Sequence, residues 1–231
     1  MTTVKALVVV PANNTTMAPE LKLYCPGIDT FAVARVERPP RTLVKEDIPA
    51  YRASTLRATE PFAGEKFDIV VYGCTAAGFL AGPQGDTDIS SALSDRFGVD
   101  TVTTAGSMVQ VLQHEHAKKV DVVTPYLASV NDGLKVCLNA GGIEVNVLDS
   151  FFCQTTAELG QIRSDQVLDL ARKTATPQGE AMFIACSQLP TYDIIPQLRR
   201  ELQRPVWSSI QATAWAVLSK LSQPVDRLVA A

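Results

Sequence analysis

The sequence contains little that points to nucleic acid or to a membrane. Only 6% of its 231 residues are aromatic, and its 21 basic residues form no block and are outnumbered by 24 acidic ones. Because nucleic-acid binding generally requires a basic patch, nucleic acid is not an expected partner. No uncharged apolar run approaches the roughly 20 residues of a spanning helix, and the run before Pro11 is too short for a signal-peptide core. We therefore expect a globular protein of the cytoplasm.

The sequence also lacks the usual patterns of metal and nucleotide sites. The two histidines, His114 and His116, lie two positions apart on a predicted helix and so point to different faces. Glycines 73, 78, 82 and 85 match neither the dinucleotide nor the phosphate-loop pattern, and we attribute them to turns. The cysteines form no C-x-x-C pair and are expected to be free thiols; they are residues 25, 74, 137, 153 and 186. The sequence predicts no metal site and no cofactor.

The chain is organised as two similar halves. The prolines that end the first strand of each half lie 114 positions apart (125 − 11), and two strand-end cysteines lie 112 apart (186 − 74). Four segments recur in the same order: KALVVVPANNTT (5–16) with KKVDVVTPYLASVND (118–132), PGIDTFAVARV (26–36) with GGIEVNVL (141–148), FDIVVYGCTAAG (67–78) with AMFIACSQLPTYD (181–193), and LSDRFGVDTVTTAGSMVQVL (93–112) with LRRELQRPVWSSIQATAWAVL (198–218).

This alternation predicts an α/β fold made of two domains. Strands that alternate with helical segments are typical of βαβ units, whose parallel sheets are covered by helices on both faces. We therefore predict two pseudo-symmetric, doubly wound, Rossmann-like domains with the active site between them. The first comprises residues 1–105 plus 207–231, and the second comprises residues 106–206. Helices are predicted at 88–96, 106–117, 164–174, 192–202 and 208–221.

Candidate site residues follow the predicted strands. In parallel sheets, ligands bind beyond the carboxyl ends of the strands, which is where Asn13, Asn14, Cys74, Tyr126 and Cys186 lie. If the halves pack about a pseudo-twofold axis, Cys74 and Cys186 flank one ligand from opposite sides. Such a pair can move a proton from one face of a carbon to the other, or add to a double bond and leave again. Neither reaction requires a cofactor.

The neighbours of the two cysteines could complete the site. Thr75 and Ala76 follow Cys74, while Ser187 and Gln188 follow Cys186, and their N–H and hydroxyl groups could stabilise a thiolate or bind a substrate carboxylate. Asn14 and Tyr126 could donate to an anion. The alternative is that both cysteines are packing residues, because free cysteine is among the most buried residue types.

Several segments resemble a known family. They are PANNTTMAPE (11–20), YGCTAAG (72–78), VVTPYLASVND (122–132) and IACSQLP (184–190). They are similar to the aspartate/glutamate racemase superfamily, within it to the branch of maleate cis-trans isomerases and arylmalonate decarboxylases. The resemblance spans nearly the whole chain. It implies two pseudo-symmetric α/β domains, no cofactor, a homodimer, and one site with a cysteine from each domain.

The resemblance also implies a role for each site residue. Cys74 matches the nucleophile that adds to the substrate double bond, and Cys186 matches the group that handles the proton on the neighbouring carbon. Asn14 and Tyr126 match residues that hold the substrate carboxylates. The chain departs from the isomerases at Thr156, where those enzymes have an asparagine, and this departure leaves the identity of the substrate open.

The predicted function is cofactor-independent isomerisation of a small dicarboxylate, above all of maleate to fumarate. One alternative is a racemase that acts on an α-substituted acid, amino acid or hydantoin by proton transfer between two thiols. A second is an arylmalonate-type decarboxylase, although those enzymes resemble this chain with glycine in place of Cys74. A third is a module that binds carboxylates without turnover.

Overall fold

The computed structural model describes residues 3–229 and contains two four-stranded sheets. The first has the order β2-β1-β3-β4 and the second the order β6-β5-β7-β8. All neighbouring strands pair in parallel. The predicted α/β fold with two similar parallel sheets is therefore confirmed. The strands are β1 (Lys5–Pro11), β2 (Thr30–Val36), β3 (Ile69–Tyr72), β4 (Thr101–Thr103), β5 (Lys119–Thr124), β6 (Glu144–Ser150), β7 (Ala181–Ile184) and β8 (Val206–Ser208).

The central strands of both sheets are continuous apolar runs. Residues 7–10 and 69–71 of the first sheet are buried, as are 122–123 and 182–184 of the second. A strand in the middle of a parallel sheet is covered by helices on both faces, so both sets of alternating side chains must be apolar. The outer strands β2 and β6 contain half-buried and exposed positions, as expected where a sheet ends.

Ten helices surround the sheets within the described residues. Each predicted helix lies on an observed one, and the helix predicted at 164–174 has the observed bounds. None of these helices combines the length and apolar composition needed to cross a membrane. The helices are α1 (Met17–Tyr24), α2 (Ile48–Ala58), α3 (Thr75–Phe97), α4 (Thr104–His114), α5 (Ala128–Ala140), α6 (Thr156–Gly160), α7 (Ser164–Thr174), α8 (Ile195–Leu202), α9 (Ser209–Lys220) and α10 (Asp226–Val229).

Helix α3 begins at Thr75, well before the predicted start at 88. The prediction attributed its glycines to turns, but Gly78 and Gly85 are helical, and only Gly82 has a positive φ, 73°, followed by Pro83. The helix is kinked there because proline cannot donate the backbone hydrogen bond that would continue it. A Cβ at Gly78 would lie 2.5 Å from the Ala105 Cβ, so glycine at this position permits close packing between α3 and α4.

The last part of the chain returns to the first half. Helix α9 follows β8 of the second sheet directly and packs against α4 and α1. The predicted assignment of 207–231 to the first domain stays a prediction, because α4 itself lies almost wholly within the predicted second domain. The exact boundaries stay a prediction, and because β8 continues through position 207, we propose that the second boundary follows Ser208.

One buried carboxyl group outside the candidate site should make the stability depend on pH. Burial raises the pKa of Asp86 to about 6, although hydrogen bonds from Thr103 and Gly106 partly offset this by lowering the pKa. Its folded-state pKa is above its unfolded value, so its stabilising contribution is complete below about pH 4 and is lost as the pH rises through about 6. Urea unfolding measures the free energy of unfolding of Asp86→Asn and of wild type at each pH. The difference, variant minus wild type, should rise between pH 4 and pH 7 by up to about 3 kcal/mol. A difference independent of pH would contradict this prediction.

Candidate active site

A single cavity opens at the carboxyl ends of the two sheets and contains nearly all the predicted site residues. Its volume is only about 30 Å³ in this conformation, room for roughly one water molecule, so a ligand of several heavy atoms requires the lining residues to move apart. The predicted residues at its wall are Asn13, Asn14, Cys74, Thr75, Ala76, Tyr126, Cys186, Ser187 and Gln188, and the others are Pro11, Arg38, Thr42, Leu43 and Leu159. The two cysteines thus line the same cavity, each contributed by its own sheet.

Thr156 is the predicted residue that does not line the cavity. It is the first residue of α6, and its N–H donates to the Pro40 carbonyl at 2.9 Å. Leu159, one turn later on the same helix, contributes to the wall instead. The residue that replaces the asparagine of the isomerases therefore presents no side chain to a ligand in this conformation.

Cys74 lies between the end of β3 and the first turn of α3. Its thiol is buried, and burial raises its pKa, whereas the Arg38 guanidinium, the N–H groups of Ala77 and Ala76, and the Tyr51 hydroxyl lower it. A positive charge and amides at a helix N-terminus both favour a thiolate. Cys74 therefore has the surroundings of a nucleophile whose charged form is stabilised by specific neighbours.

Cys186 occupies the equivalent place after β7 in an unusual backbone conformation. Its φ is 138°, a region that residues with a Cβ rarely adopt and that is common only at constrained, often functional, positions. The Cys186 N–H donates to Ser209 Oγ at 2.9 Å, and the Gln188 N–H donates to the Cys186 Sγ at 3.4 Å. Burial raises the pKa of this thiol, while the Gln188 N–H and Tyr126 lower it.

Tyr126 presents an uncommitted hydroxyl to both thiols. The hydroxyl is buried and makes no hydrogen bond of ordinary geometry within the described residues, although it is close enough to Cys186 to lower the pKa of that thiol. Burial and the neighbouring Cys186 and Cys74 raise the pKa of Tyr126 well above its usual value, so it stays protonated. Its ring is held edge-on against Phe79, with centroids 5.6 Å apart. The Tyr126 hydroxyl is therefore a donor held next to the Cys186 thiol without a hydrogen bond of ordinary geometry.

Asn14 and Ser187 join the two halves in this conformation. Asn14 Nδ2 donates to both the carbonyl and the Oγ of Ser187, each at 3.1 Å, and Ser187 Oγ donates to the Gly73 carbonyl at 2.7 Å. Asn14 Oδ1 accepts from the N–H groups of Thr16 and Met17 at the start of α1. The Asn14 amide is thus fully used, and its predicted contact with a carboxylate stays a prediction that requires these bonds to rearrange.

Gln188 and Thr75 also connect elements from different halves. Gln188 Oε1 accepts from the Thr15 N–H at 3.0 Å, and its Nε2 donates to Thr15 Oγ1 at 3.2 Å. The Thr75 hydroxyl donates to Ser209 Oγ at 3.2 Å, the same oxygen that accepts from the Cys186 N–H. Ser209 therefore links the loop of one cysteine to that of the other, a role that the sequence analysis missed.

The sequence analysis missed Arg38, whereas it placed Asn13 at the strand end beside Asn14. Arg38 lies in the loop after β2, so the rule that ligands bind at the carboxyl ends of strands would have found it. Both line the cavity, and the Nε of Arg38 and the Oδ1 of Asn13 are buried without hydrogen-bond partners. No group of three or more metal-ligating side chains is found among residues 3–229.

Comparison with known proteins agrees with this geometry. A maleate isomerase of Nocardia farcinica (strain IFM 10152) is 26% identical over 226 residues, which cover 94% of this chain and 90% of that protein. The solved structure of an N. farcinica maleate cis-trans isomerase variant, in which a cysteine is replaced by serine and a succinylcysteine intermediate is covalently bound, matches with a TM-score of 0.89 at 25% identity. That match covers 99% of this chain and 98% of the other.

An arylmalonate decarboxylase of Bordetella bronchiseptica is also similar, with 21% identity over 208 residues, covering 89% of this chain and 82% of that protein. The model of the family described as arylmalonate decarboxylase (Amdase) matches residues 5–229. This range includes both sheets and the whole cavity. The sequence resemblance is therefore confirmed, and the chain belongs to the arylmalonate decarboxylase family.

Proposed function

We propose that the protein is a cofactor-independent maleate cis-trans isomerase. One observation carries the proposal: two cysteines, each at the end of a central strand of its own sheet, line one small cavity. A covalent succinylcysteine in a similar isomerase supports the same use of a thiol here. The arylmalonate decarboxylases resemble this chain with glycine in place of Cys74, so the buried thiol after β3 is the feature that favours the isomerase.

In the first half of the proposed reaction, a bond forms between Cys74 and the substrate. The Cys74 thiolate attacks one alkene carbon of maleate, and the π electron pair moves to the other alkene carbon. That carbon takes the proton of the Cys186 thiol, which becomes a thiolate. The product is a succinyl group bound through sulfur to Cys74, and it contains a single bond where the substrate had a double bond.

The second half reverses these steps after rotation about that single bond. The Cys186 thiolate removes the proton from the same carbon, the electron pair forms the trans double bond, and the carbon–sulfur bond breaks. Fumarate leaves, Cys74 is again a thiolate, and Cys186 is again a thiol. Atoms and electrons balance within the substrate and the two thiols, so the reaction needs no oxidant, reductant or metal.

The direct test is to follow maleate by proton NMR in the presence of the protein. We expect the alkene signal of maleate to be replaced by that of fumarate. Cys137→Ala is a matched control, because Cys137 is a half-buried thiol on α5 that does not line the cavity, and it should isomerise maleate at the wild-type rate. Absence of fumarate with a folded wild-type protein would overturn the proposal.

The same protein preparation, given an arylmalonate, distinguishes the isomerase from a decarboxylase. The decarboxylase is the alternative that the family relationship supports. Release of carbon dioxide from an arylmalonate without any maleate isomerisation would support that activity. A racemase would instead exchange the α-hydrogen of a substituted acid with solvent deuterium.

Two further proposals concern the protein in the cell. We propose a homodimer, on the basis of the sequence resemblance, and a location in the cytoplasm, on the basis of the five free cysteines. Light scattering of the purified protein tests the dimer, since the mass of a single chain in solution would contradict it.

A further inference from the structure

Among residues 3–229, Arg38 is the only charged residue that lines the cavity. It lies in the loop after β2, at the carboxyl end of the first sheet, and is half-buried. The other lining residues are apolar, amide, hydroxyl or thiol side chains. With both thiols protonated, the cavity therefore carries one net positive charge. Such a charge needs an anion to neutralise it or water to solvate it.

Arg38 makes fewer hydrogen bonds than its two neighbouring arginines among residues 3–229, and it has no ion-pair partner there. Arg41 forms a two-bond ion pair with Asp47, with both N–O distances 2.7 Å, and Arg35 donates to the carbonyls of Ala12 and Asn14. Arg38 donates only through one terminal nitrogen, to the Arg41 carbonyl at 3.0 Å. No carboxylate lies within 4.0 Å of its guanidinium among residues 3–229.

The Arg38 Nε is buried without a hydrogen-bond partner. A buried donor on a charged group that is left unpaired is costly, so such groups are normally satisfied by protein, water or ligand. A planar guanidinium matches the two oxygens of a carboxylate. The chemistry of this unpaired donor therefore fits a carboxylate ligand.

We propose that Arg38 binds one carboxylate of the substrate and makes the site select dicarboxylates over their monocarboxylate analogues. This inference rests on the proposed function, because it assigns the residue that recognises the diacid. Asn14, a predicted carboxylate contact, is committed to Ser187, and Thr156 does not reach the cavity. Arg38 thus supplies a carboxylate contact that these two residues do not offer in this conformation.

The position of Arg38 relative to the two thiols agrees with this role. For Cys74, Arg38 is the strongest of the influences that lower the thiol pKa against the effect of burial, whereas for Cys186 it is a weak one. The positive charge of Arg38 therefore stabilises the Cys74 thiolate more than the other lowering influences do, but it ranks low among those on Cys186. A carboxylate held by Arg38 would place the adjacent alkene carbon next to Cys74.

The experiment measures binding without turnover. Succinate and its monoamide, succinamate, have no double bond and differ by one carboxylate, and their dissociation constants can be measured by calorimetry. We expect wild type to prefer succinate. Arg38→Gln should weaken succinate binding by roughly 10- to 100-fold, the range for losing a hydrogen bond to a charged group, and should remove the preference. Arg38→Lys should restore part of the affinity through its charge.

Arg57→Gln is the matched control, because it removes the same charge from an exposed position on α2 outside the cavity. It should bind both ligands as wild type does, and the circular dichroism of all variants should be unchanged. Succinate affinity and preference that survive in Arg38→Gln would overturn the inference, as would a wild-type protein that does not bind succinate.

Maleate turnover separates this inference from the proposed function. If wild type isomerises no maleate but binds succinate through Arg38, the proposed function fails and the carboxylate site stands. If wild type isomerises maleate and Arg38→Gln has the same kcat/KM, the assignment of Arg38 fails alone.

Discussion

Replacing Cys74 with alanine is expected to reduce maleate isomerisation by at least about 10²- to 10⁴-fold, the contribution of a positioned acid–base group, and nucleophiles often contribute more. Alanine removes the sulfur that forms the covalent bond, and no other lining residue except Cys186 carries a thiol. The initial rate of fumarate formation measures the effect, with Cys137→Ala as the control that loses a thiol elsewhere. Wild-type turnover by Cys74→Ala would contradict the mechanism.

The same residue should give the reaction a definite pH dependence. Burial raises the pKa of the Cys74 thiol, so only a small fraction is thiolate at neutral pH. The kcat/KM of wild type should therefore rise with pH between pH 7 and pH 9, by up to about tenfold per pH unit while the thiol is mostly protonated. The rate of alkylation of Cys74 by iodoacetamide should rise in parallel. A flat profile for both would mean that Cys74 is already ionised or does not react.

Replacing Cys186 with serine is expected to trap the intermediate on Cys74. Serine is a far weaker acid than cysteine, so the carbon takes its proton from solvent water instead, and no thiolate is left beside it to take that proton back in the second half of the reaction. Turnover should fall by about 10²- to 10⁴-fold, and the protein mixed with maleate should gain the mass of one maleic acid molecule. Peptide mapping should place the addition on Cys74.

The double variant Cys74→Ala/Cys186→Ser is the control for that experiment. It should gain no mass, because the attacking sulfur is absent. An adduct that persists in the double variant, or rapid turnover by Cys186→Ser, would show that the two thiols do not have the proposed roles.

Much of the fold could be predicted because corresponding segments recur in the same order in both halves of the sequence. Each half contains the same strand order and places its cysteine after a continuous apolar strand, and buried parallel strands need such runs. The bounds of α3 could not be predicted, because Gly82 and Pro83 are typical of a turn. In the structure they produce only a kink, and buried apolar residues occur on both sides of it: Phe79 and Leu80 before, Ile89 and Leu93 after.

The cavity could be predicted less completely, because part of it depends on contacts across the junction of the halves. The strand-end rule identified Cys74, Cys186 and Tyr126. It could not show that the Asn14 amide is taken by Ser187, a residue 173 positions away in the chain, since such pairing depends on how the halves dock. Arg38 has no counterpart among the repeated segments, so the comparison of halves gave no reason to select it.

The positive φ of Cys186 sets the stability of this chain against the reactivity of the residue at this position. At a φ of 138°, a residue with a Cβ costs of order 1–3 kcal/mol, whereas glycine adopts such angles readily. Drift toward glycine would therefore yield a more stable but unreactive protein. The thiol at position 186 is therefore present at a cost to the stability of the fold.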